Sequence, residues 1–514
     1  MMARRAVARL PLALAMLAAL AGCDLAPHYA RPGAPVPPKF PSDGAYQKAI
    51  ESQPPPASVD WHQLFTDPKL AQVIELALAN GRDLRIAAAN VAAARATYRV
   101  QRSDLFPEID AGAVARIAHS NNGESSATAV SGTGAGTTGS GAGSGAGSGT
   151  GNGTGGSSGT GTGTTAVATG GGTSHYYSLD LGIASYEIDL FGRVRNLTKS
   201  AFEQYLATDA GARATKLTLI GETAAAWYTF AADRSVLEVA QQTLKASQAS
   251  AEVSRQRFEG GIASELDLQS TLTLVEQAQS DIAADMSQVA QDKNALDLLV
   301  GAPVSDDLLP VDIDHVTLPV ELPSGLSSTI LLRRPDVVEA EHQLIAANAR
   351  IGAARAAFFP RISLTTAAGL ASGGLSSLFT GHAFNWSVEP SATLPIFDGG
   401  ANAGNLAYAK AERKLYLAQY EQAVQTAFRE VADALARRGT IDAQLAAQQA
   451  LTNSARLSLN LAQARYQGGI DPYLNYLDAE RTLYTAQQSL AATKLIQAEN
   501  LVTLYRVLGG DQNF

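Results

Sequence analysis

The sequence predicts a mainly α-helical protein with a transmembrane β part, assembled by internal duplication. Three observations lead there. One long unit occurs twice, its helical stretches run for dozens of residues with almost no proline or glycine, and between them lie segments of about ten residues with period-two alternation.

The duplication is visible by inspection. Residues 257–301 open with Arg257-Phe258-Glu259-Gly260-Gly261-Ile262 and close with Leu299-Val300-Gly301. Residues 465–509 open with Arg465-Tyr466-Gln467-Gly468-Gly469-Ile470 and close with Val507-Leu508-Gly509, a constant offset of 208 (257 to 465, 301 to 509). Leu266 and Leu474 share that register, as do Ala278-Gln279 and Ala486-Gln487.

At the N-terminus, residues 1–22 have the form of a signal peptide. Arg4, Arg5 and Arg9 precede an apolar run, Leu10 to Leu20, that is too short to span a bilayer. Leu20-Ala21-Gly22-Cys23 resembles a bacterial lipoprotein cleavage box, with Cys23 acylated. Cys23 is the only cysteine, so no internal disulfide can form. Asp24 follows it directly, and an aspartate there acts in some bacteria as an inner-membrane retention signal; the strands below argue for the outer membrane instead.

Residues 23–60 are rich in proline (Pro35, Pro37, Pro38, Pro41, Pro54, Pro55, Pro56) and read as an extended arm. From Trp61 the chain turns helical, with Asp67-Pro68 as a helix start. Arg193 to Phe258 contains no proline, and Leu237, Leu244, Ala251 and Phe258 keep seven-residue spacing, the mark of a coiled-coil seam. Such a helix would be about 100 Å long. Gly260-Gly261 reverses the chain into a second rod, Ser264 to Leu299, and Asn402–Tyr466 with Pro472–Leu508 repeats the plan. The rods are rich in alanine, which lets helices approach closely side by side.

Four segments alternate with period two. Tyr177, Leu179, Leu181 and Ile183 are interleaved with Ser178, Asp180, Gly182 and Ala184; Trp386, Val388, Pro390, Ala392 and Leu394 behave likewise. Ile362, Leu364, Thr366 and Ala368 follow Phe359-Pro360, and Ile109, Ala111, Ala113 and Ala115 follow Phe106-Pro107. Each is about ten residues, the length of a transmembrane strand, with one apolar and one polar face, which a soluble sandwich would also show. Four strands cannot close a barrel alone, which implies an oligomer. The domains are then the signal peptide, the arm, a first repeat over 61–310 and a second over 311–514. Phe106-Pro107 pairs with Phe359-Pro360 at an offset of 253, whereas Asp189-Leu190-Phe191-Gly192 pairs with Pro395-Ile396-Phe397-Asp398 at 206. The excess in the first half is a Gly/Ser/Thr/Ala tract, roughly 120–174, expected as a disordered loop at a hairpin tip.

No chemistry of an enzyme is legible. The seven histidines have no metal-ligand spacing, and Asp312-Ile313-Asp314-His315 reads as a solvated loop. The glycine tract contains Gly151, Gly153 and Gly156 in dinucleotide-binding spacing, without the strand and helix that such a motif needs. With 48 acidic against 39 basic residues, the chain is a poor candidate for nucleic acid. No metal, catalytic residue or cofactor is expected beyond the lipid on Cys23.

The motifs carry a family resemblance. Cys23 and Pro27-His28-Tyr29-Ala30-Arg31-Pro32 are followed by Glu187-Ile188-Asp189-Leu190-Phe191-Gly192-Arg193 and Leu332-Arg333-Arg334-Pro335-Asp336-Val337 with Ala340-Glu341. Phe359-Pro360, Leu394-Pro395-Ile396-Phe397-Asp398-Gly399-Gly400 and the two Arg-aromatic-x-Gly-Gly tips complete the order. Together they resemble the TolC-type outer-membrane efflux channels, in the lipoprotein branch that includes OprM and the NodT-like factors. The resemblance implies a homotrimer with a 12-stranded barrel in outer-membrane lipid, continued by a coiled-coil tunnel in the periplasm. It implies a passive exit duct for drugs or other small molecules, partnered by a periplasmic adaptor and an inner-membrane RND-type transporter. Tyr466 and Asp267 match a hydrogen-bonded link that holds neighbouring coiled coils closed. Leu474 and Asp478 match the periplasmic constriction, and Gly260, Gly261, Ile262, Gly468, Gly469 and Ile470 match the turns that receive the adaptor. Asn475 and Asp471 depart from the pattern where some members carry an acid and an arginine, which shifts the expected closure from charge contacts towards Leu474 packing. Two rivals are a channel for type I protein secretion and a periplasmic coiled-coil scaffold or adhesin.

Overall fold

The computed structural model describes residues 24–46, 60–120, 172–319 and 327–510. The signal peptide, Cys23 and nearly all of the glycine tract lie outside them. In chain order the elements are α1 (Trp61–Leu64), α2 (Pro68–Asn80), α3 (Arg82–Ser103), β1 (Asp110–Ser120), β2 (Gly172–Glu187), α4 (Arg193–Glu259) and α5 (Glu265–Val300). The second half supplies α6 (Pro335–Ala356), β3 (Arg361–Ser372), β4 (Phe384–Thr393), α7 (Ala401–Gln467) and α8 (Tyr473–Val507). Both α4 and α7 are single helices of 67 residues. No helix among the described residues is long and apolar enough to cross a membrane. The chain falls into two compact units, each drawing on both repeats: Met1–Tyr29, Ala96–Phe202 and Ala346–Glu412 form one, and Ala30–Arg95, Glu203–Ile345 and Arg413–Phe514 the other.

The first unit carries the sheet. Its order is β1-β2-β3-β4, and every neighbouring pair is antiparallel. The two repeats meet at β2–β3, where Leu179 faces Leu370 and Leu181 faces Ala368. A register shift between Ile183 and Tyr186 marks a bulge, which sharpens the local twist. On the face that carries the apolar alternation Leu181 is 57 % exposed and Trp386 70 %, while Ser178, of the opposite phase on β2, is buried. β1 and β4 are paired on one side only, and Pro390, which lacks an N–H to donate, sits on the free strand β4. The first residues of the arm are laid against this unit. Asp24 accepts from Ala26 N (2.9 Å) and Asn196 Nδ2 (3.0 Å), Asn348 donates to Pro27 O, and Arg355 donates to Leu25 O.

The second unit holds the main core. Trp61, Phe65, Leu70 and Ile74 of the first helices pack with Ile220, Trp227 and Tyr228 of α4, Leu296 of α5 and Tyr505 of α8. Polar atoms brought into this core are satisfied by backbone, as burial requires: Trp227 donates to Leu308 O (3.1 Å) and Tyr228 to Thr317 O (2.9 Å). Asp67 caps α2 by accepting from Lys69 N and Leu70 N, with Pro68 at the first helical position, as Asp67-Pro68 led one to expect. The loop after α5 differs from the reading of a solvated stretch. Asp312 and Ile313 are buried, because the Asp312 carboxylate accepts from the backbone of Asp314 and His315 and so turns the chain inwards.

The coiled-coil seam is also more specific than the sequence suggested. Of the series read from the sequence only Ala251 is buried, while Leu237 and Leu244 are half-buried and Phe258 is exposed; Ala240, Ser247 and Ser254 are almost completely enclosed. These three stand three residues beyond the leucine series and keep its spacing of seven. They are the second half of the heptad, filled by small residues so that helix backbones approach closely.

Candidate functional site

The two helix-hairpin tips share one backbone solution. In the first, Gly261 N donates to Phe258 O (2.9 Å) and Ile262 N to Arg257 O (2.8 Å). In the second, Gly469 N donates to Tyr466 O (3.0 Å) and Ile470 N to Arg465 O (2.9 Å). Each is a Schellman closure with a left-handed glycine, φ 69° at Gly261 and 70° at Gly469. A Cβ at either position would meet nothing within 4 Å, so the positive φ alone demands glycine there. Ile262 and Ile470 follow these turns and are 80 % and 67 % exposed.

Beyond the turns the copies diverge. Ser264 caps α5 in a reciprocal capping box: Asp267 N donates to Ser264 Oγ, and the Asp267 carboxylate accepts from Ser264 N (3.2 Å) and Oγ (2.8 Å). In the second copy the cap is Pro472, which offers no side-chain acceptor, and order comes from a bidentate Arg465–Asp471 pair instead (2.6 and 2.9 Å). Arg465 holds the Asp471 carboxyl below its ordinary value. Arg257, the counterpart of Arg465, has no such partner in its own tip. Its guanidinium lies 4.5 Å from the centre of the Tyr466 ring and joins the first hairpin to the second.

Tyr466 is therefore engaged on both sides. Its ring lies 5.1 Å from Tyr473 at 65° and 6.1 Å from Tyr476 at 15°. Leu274 of α5 completes this cluster with Leu477, so both hairpins contribute. Tyr476 OH lies 3.1 Å from Ser250 Oγ on α4, and Tyr484 OH donates to Asp281 on α5 at 2.7 Å. Burial pushes the Tyr473 hydroxyl up to about 12 and raises Tyr476 as well, so both stay neutral.

The sequence-derived residues fall into three groups. Gly260, Gly261, Ile262 and Gly468, Gly469, Ile470 form the two turns. Tyr466 lies inside the aromatic cluster and Asp267 inside the capping box, and within one protomer no hydrogen bond joins them. Leu474 (61 % exposed) and Asp478 both lie on the open surface of α8, where a neighbouring copy could face them. Sequence reasoning missed Arg257, Tyr473, Tyr476, Tyr484 and Glu480. The signal was present at the 208-residue offset, where Glu265, Leu268, Leu272 and Glu276 of the first copy become Tyr473, Tyr476, Glu480 and Tyr484.

A sheet with two free edges and an apolar outer face, together with paired long hairpins, has close relatives. The model of the family described as outer membrane efflux protein matches residues 73–302 and 326–510. The probable efflux pump outer membrane protein TtgC of Pseudomonas putida is 41 % identical over 497 residues, covering 96 % of this chain and 93 % of its own. The outer membrane protein OprJ of Pseudomonas aeruginosa is 37 % identical over 506 residues, covering 97 % and 95 %. Among solved structures, the open state of the Neisseria gonorrhoeae MtrE outer membrane channel superposes with a TM-score of 0.78 at 32 % identity, covering 96 % of this chain and 100 % of that one. CusC superposes with a TM-score of 0.77 at 35 % identity, covering 95 % and 100 %. The chain belongs to the outer membrane efflux protein family: it is an outer-membrane channel with the TolC-like fold, the exit duct of a tripartite efflux pump, and not an enzyme.

Proposed function

We propose that this chain forms a homotrimeric duct, anchored by a lipid on Cys23, that passes small apolar compounds outwards and is gated at the hairpin tips. The sheet carries the reading. Its outer face exposes Leu179, Leu181, Phe384, Trp386 and Val388, and β1 and β4 each have an unpaired edge. Three such sheets joined edge to edge would make a 12-stranded barrel without a free edge, the only β architecture that lipid tolerates. Relatives are named for toluene, solvent and antibiotic efflux, which favours small-molecule cargo over secreted protein.

At the tips, the exposed turns at Gly260–Ile262 and Gly468–Ile470 would receive the hairpins of a periplasmic adaptor, which links the duct to an RND-type transporter. Leu474 and Asp478 would ring the constriction, with Tyr466 and Asp267 holding it closed. Three Asp478 carboxylates around one axis would attract multivalent cations.

Reconstitution of the full-length protein into planar bilayers tests both statements. Discrete, uniform conductance steps are expected, and silent membranes would overturn the duct. Asp478→Ala should weaken block by a trivalent cation at least tenfold. Unchanged block would place the charge ring elsewhere.

A further inference from the structure

Glu480 stands out among the carboxylates of the second unit. It is 5 % exposed, and neither of its carboxylate oxygens has a hydrogen-bond partner. Because both atoms are enclosed within one protomer, a neighbouring copy cannot supply the missing donor. The buried positions Tyr473, Tyr476, Leu477, Glu480 and Tyr484 are spaced by three, one, three and four residues and so share one face of α8. That face meets the first hairpin. Four residues before Glu480, Tyr476 OH contacts Ser250 of α4; four residues after it, Tyr484 OH donates to Asp281 of α5. Glu480 lies between these two contacts, in the seam that joins the hairpins of one protomer.

The two copies differ in chemistry at this position. At the offset of 208 the first copy has Leu272. A buried, unpaired acid is costly when ionised, so ionising this group and opening the seam to water are coupled.

Few charged or titratable groups reach it. On its own helix they are Arg481 and the hydroxyls of Tyr473 and Tyr476. On α5 the facing acids are Asp281, bound to Tyr484, and Asp285, both half-buried one to two turns further along. One turn back from Ser250, Ser247 of α4 is buried and uncharged. On α7, which meets α8 where Gln448 and Thr452 donate to Ala486 O, Ala455 is buried and uncharged too, while Lys245, Glu252, Arg255 and Arg456 on those helices are exposed.

We propose that Glu480 is a proton-operated lock on this seam: neutral, it lets the two hairpins close on each other, and ionised, it drives them apart. The proposal rests on the reading of the tips as the gate. Burial pushes the Glu480 carboxyl up to about 7, with Arg481 pulling weakly the other way. In an opened, solvated seam the same carboxyl would titrate near the usual glutamate value of about 4.3. Between those values the closed state binds a proton that the open state has lost. Closing is therefore favoured as pH falls from about 7 towards 4.3, by up to about tenfold per pH unit and subunit, and is independent of pH outside that window.

The test is the open fraction of single reconstituted channels from pH 8 to pH 5. For the native sequence we expect at least a tenfold fall between pH 7.5 and pH 5.5. Glu480→Gln, and separately Glu480→Leu, which copies the first repeat, should flatten the profile to less than twofold at the low open fraction of the acid form. A native-like profile in both variants would overturn the lock, as would a profile flattened by Asp281→Asn or Asp478→Asn but not by Glu480→Gln. Membranes without conductance at any pH would overturn the duct itself, a distinct result.

Discussion

Arg334→Met is expected to lower the stability of each protomer by about 2–4 kcal/mol, the range for breaking a buried, hydrogen-bonded ion pair whose partners are partly solvated. The Arg334 side chain is 9 % exposed. It donates to Val507 O (3.0 Å), to both oxygens of Asp336 (3.1 and 2.7 Å) and to Glu430 (2.8 Å). A methionine would fill the space of the aliphatic stem, so the loss isolates the guanidinium. The main damage is at Val507 O, a carbonyl at the end of α8 that would be left buried without a donor. Asp336 and Glu430 retain some access to water (45 % and 35 % side-chain exposure), which keeps the penalty below that of a fully enclosed pair. Arg334→Lys keeps the charge but cannot serve three partners from one ammonium, and should recover less than half of the loss. The readout is the denaturant midpoint of the purified protein at fixed protein concentration. A change under about 0.5 kcal/mol, the usual scale for surface substitutions, would show that the clamp holds nothing.

The clamp also shows how much of this molecule the sequence made readable. Leu332-Arg333-Arg334-Pro335-Asp336-Val337 was legible as a family motif, but its job depended on Val507 and Glu430, which no local pattern connects to it. The long helices were legible to within a residue or two, because Gly261 and Gly469 stop them by a positive φ that other residues resist. The strands were legible from period two, though β2 runs to 16 residues rather than about ten, since its first turns pair with β1 beyond the alternating core. The seam was half legible. Leucine spacing revealed one series, while the tightly enclosed Ala240, Ser247 and Ser254 look like surface residues in a sequence. At the tips, the glycine turns could be read directly. The pairing of Arg257 with Tyr466 could not, because it joins residues of different hairpins through a ring face rather than through opposite charges.

Gly369→Val should be strongly damaging in the sheet and prevent assembly of the proposed trimer. A Cβ at Gly369 would lie 2.4 Å from Leu179 O and 2.6 Å from Asp180 Oδ1, and the first of these is backbone that cannot turn aside. Gly369 stands opposite Asp180 in the β2–β3 ladder, where the first and second repeats are joined. Overpacking costs about 1–3 kcal/mol where side chains can yield. Here the strand itself must shift, so the loss should reach or exceed the top of that range in every protomer. Asp180 also faces a second glycine, Gly112 on β1, and a Cβ added there would meet nothing within 4 Å. Gly112→Val is thus a control in the same row of the sheet, with the same change of residue and no clash. Chemical cross-linking of the two variants in membranes, read on a denaturing gel, separates the cases. The trimer band should persist for Gly112→Val and disappear for Gly369→Val. Equal persistence would mean that β2 and β3 can part without loss, and that the junction between the repeats does not hold the barrel together.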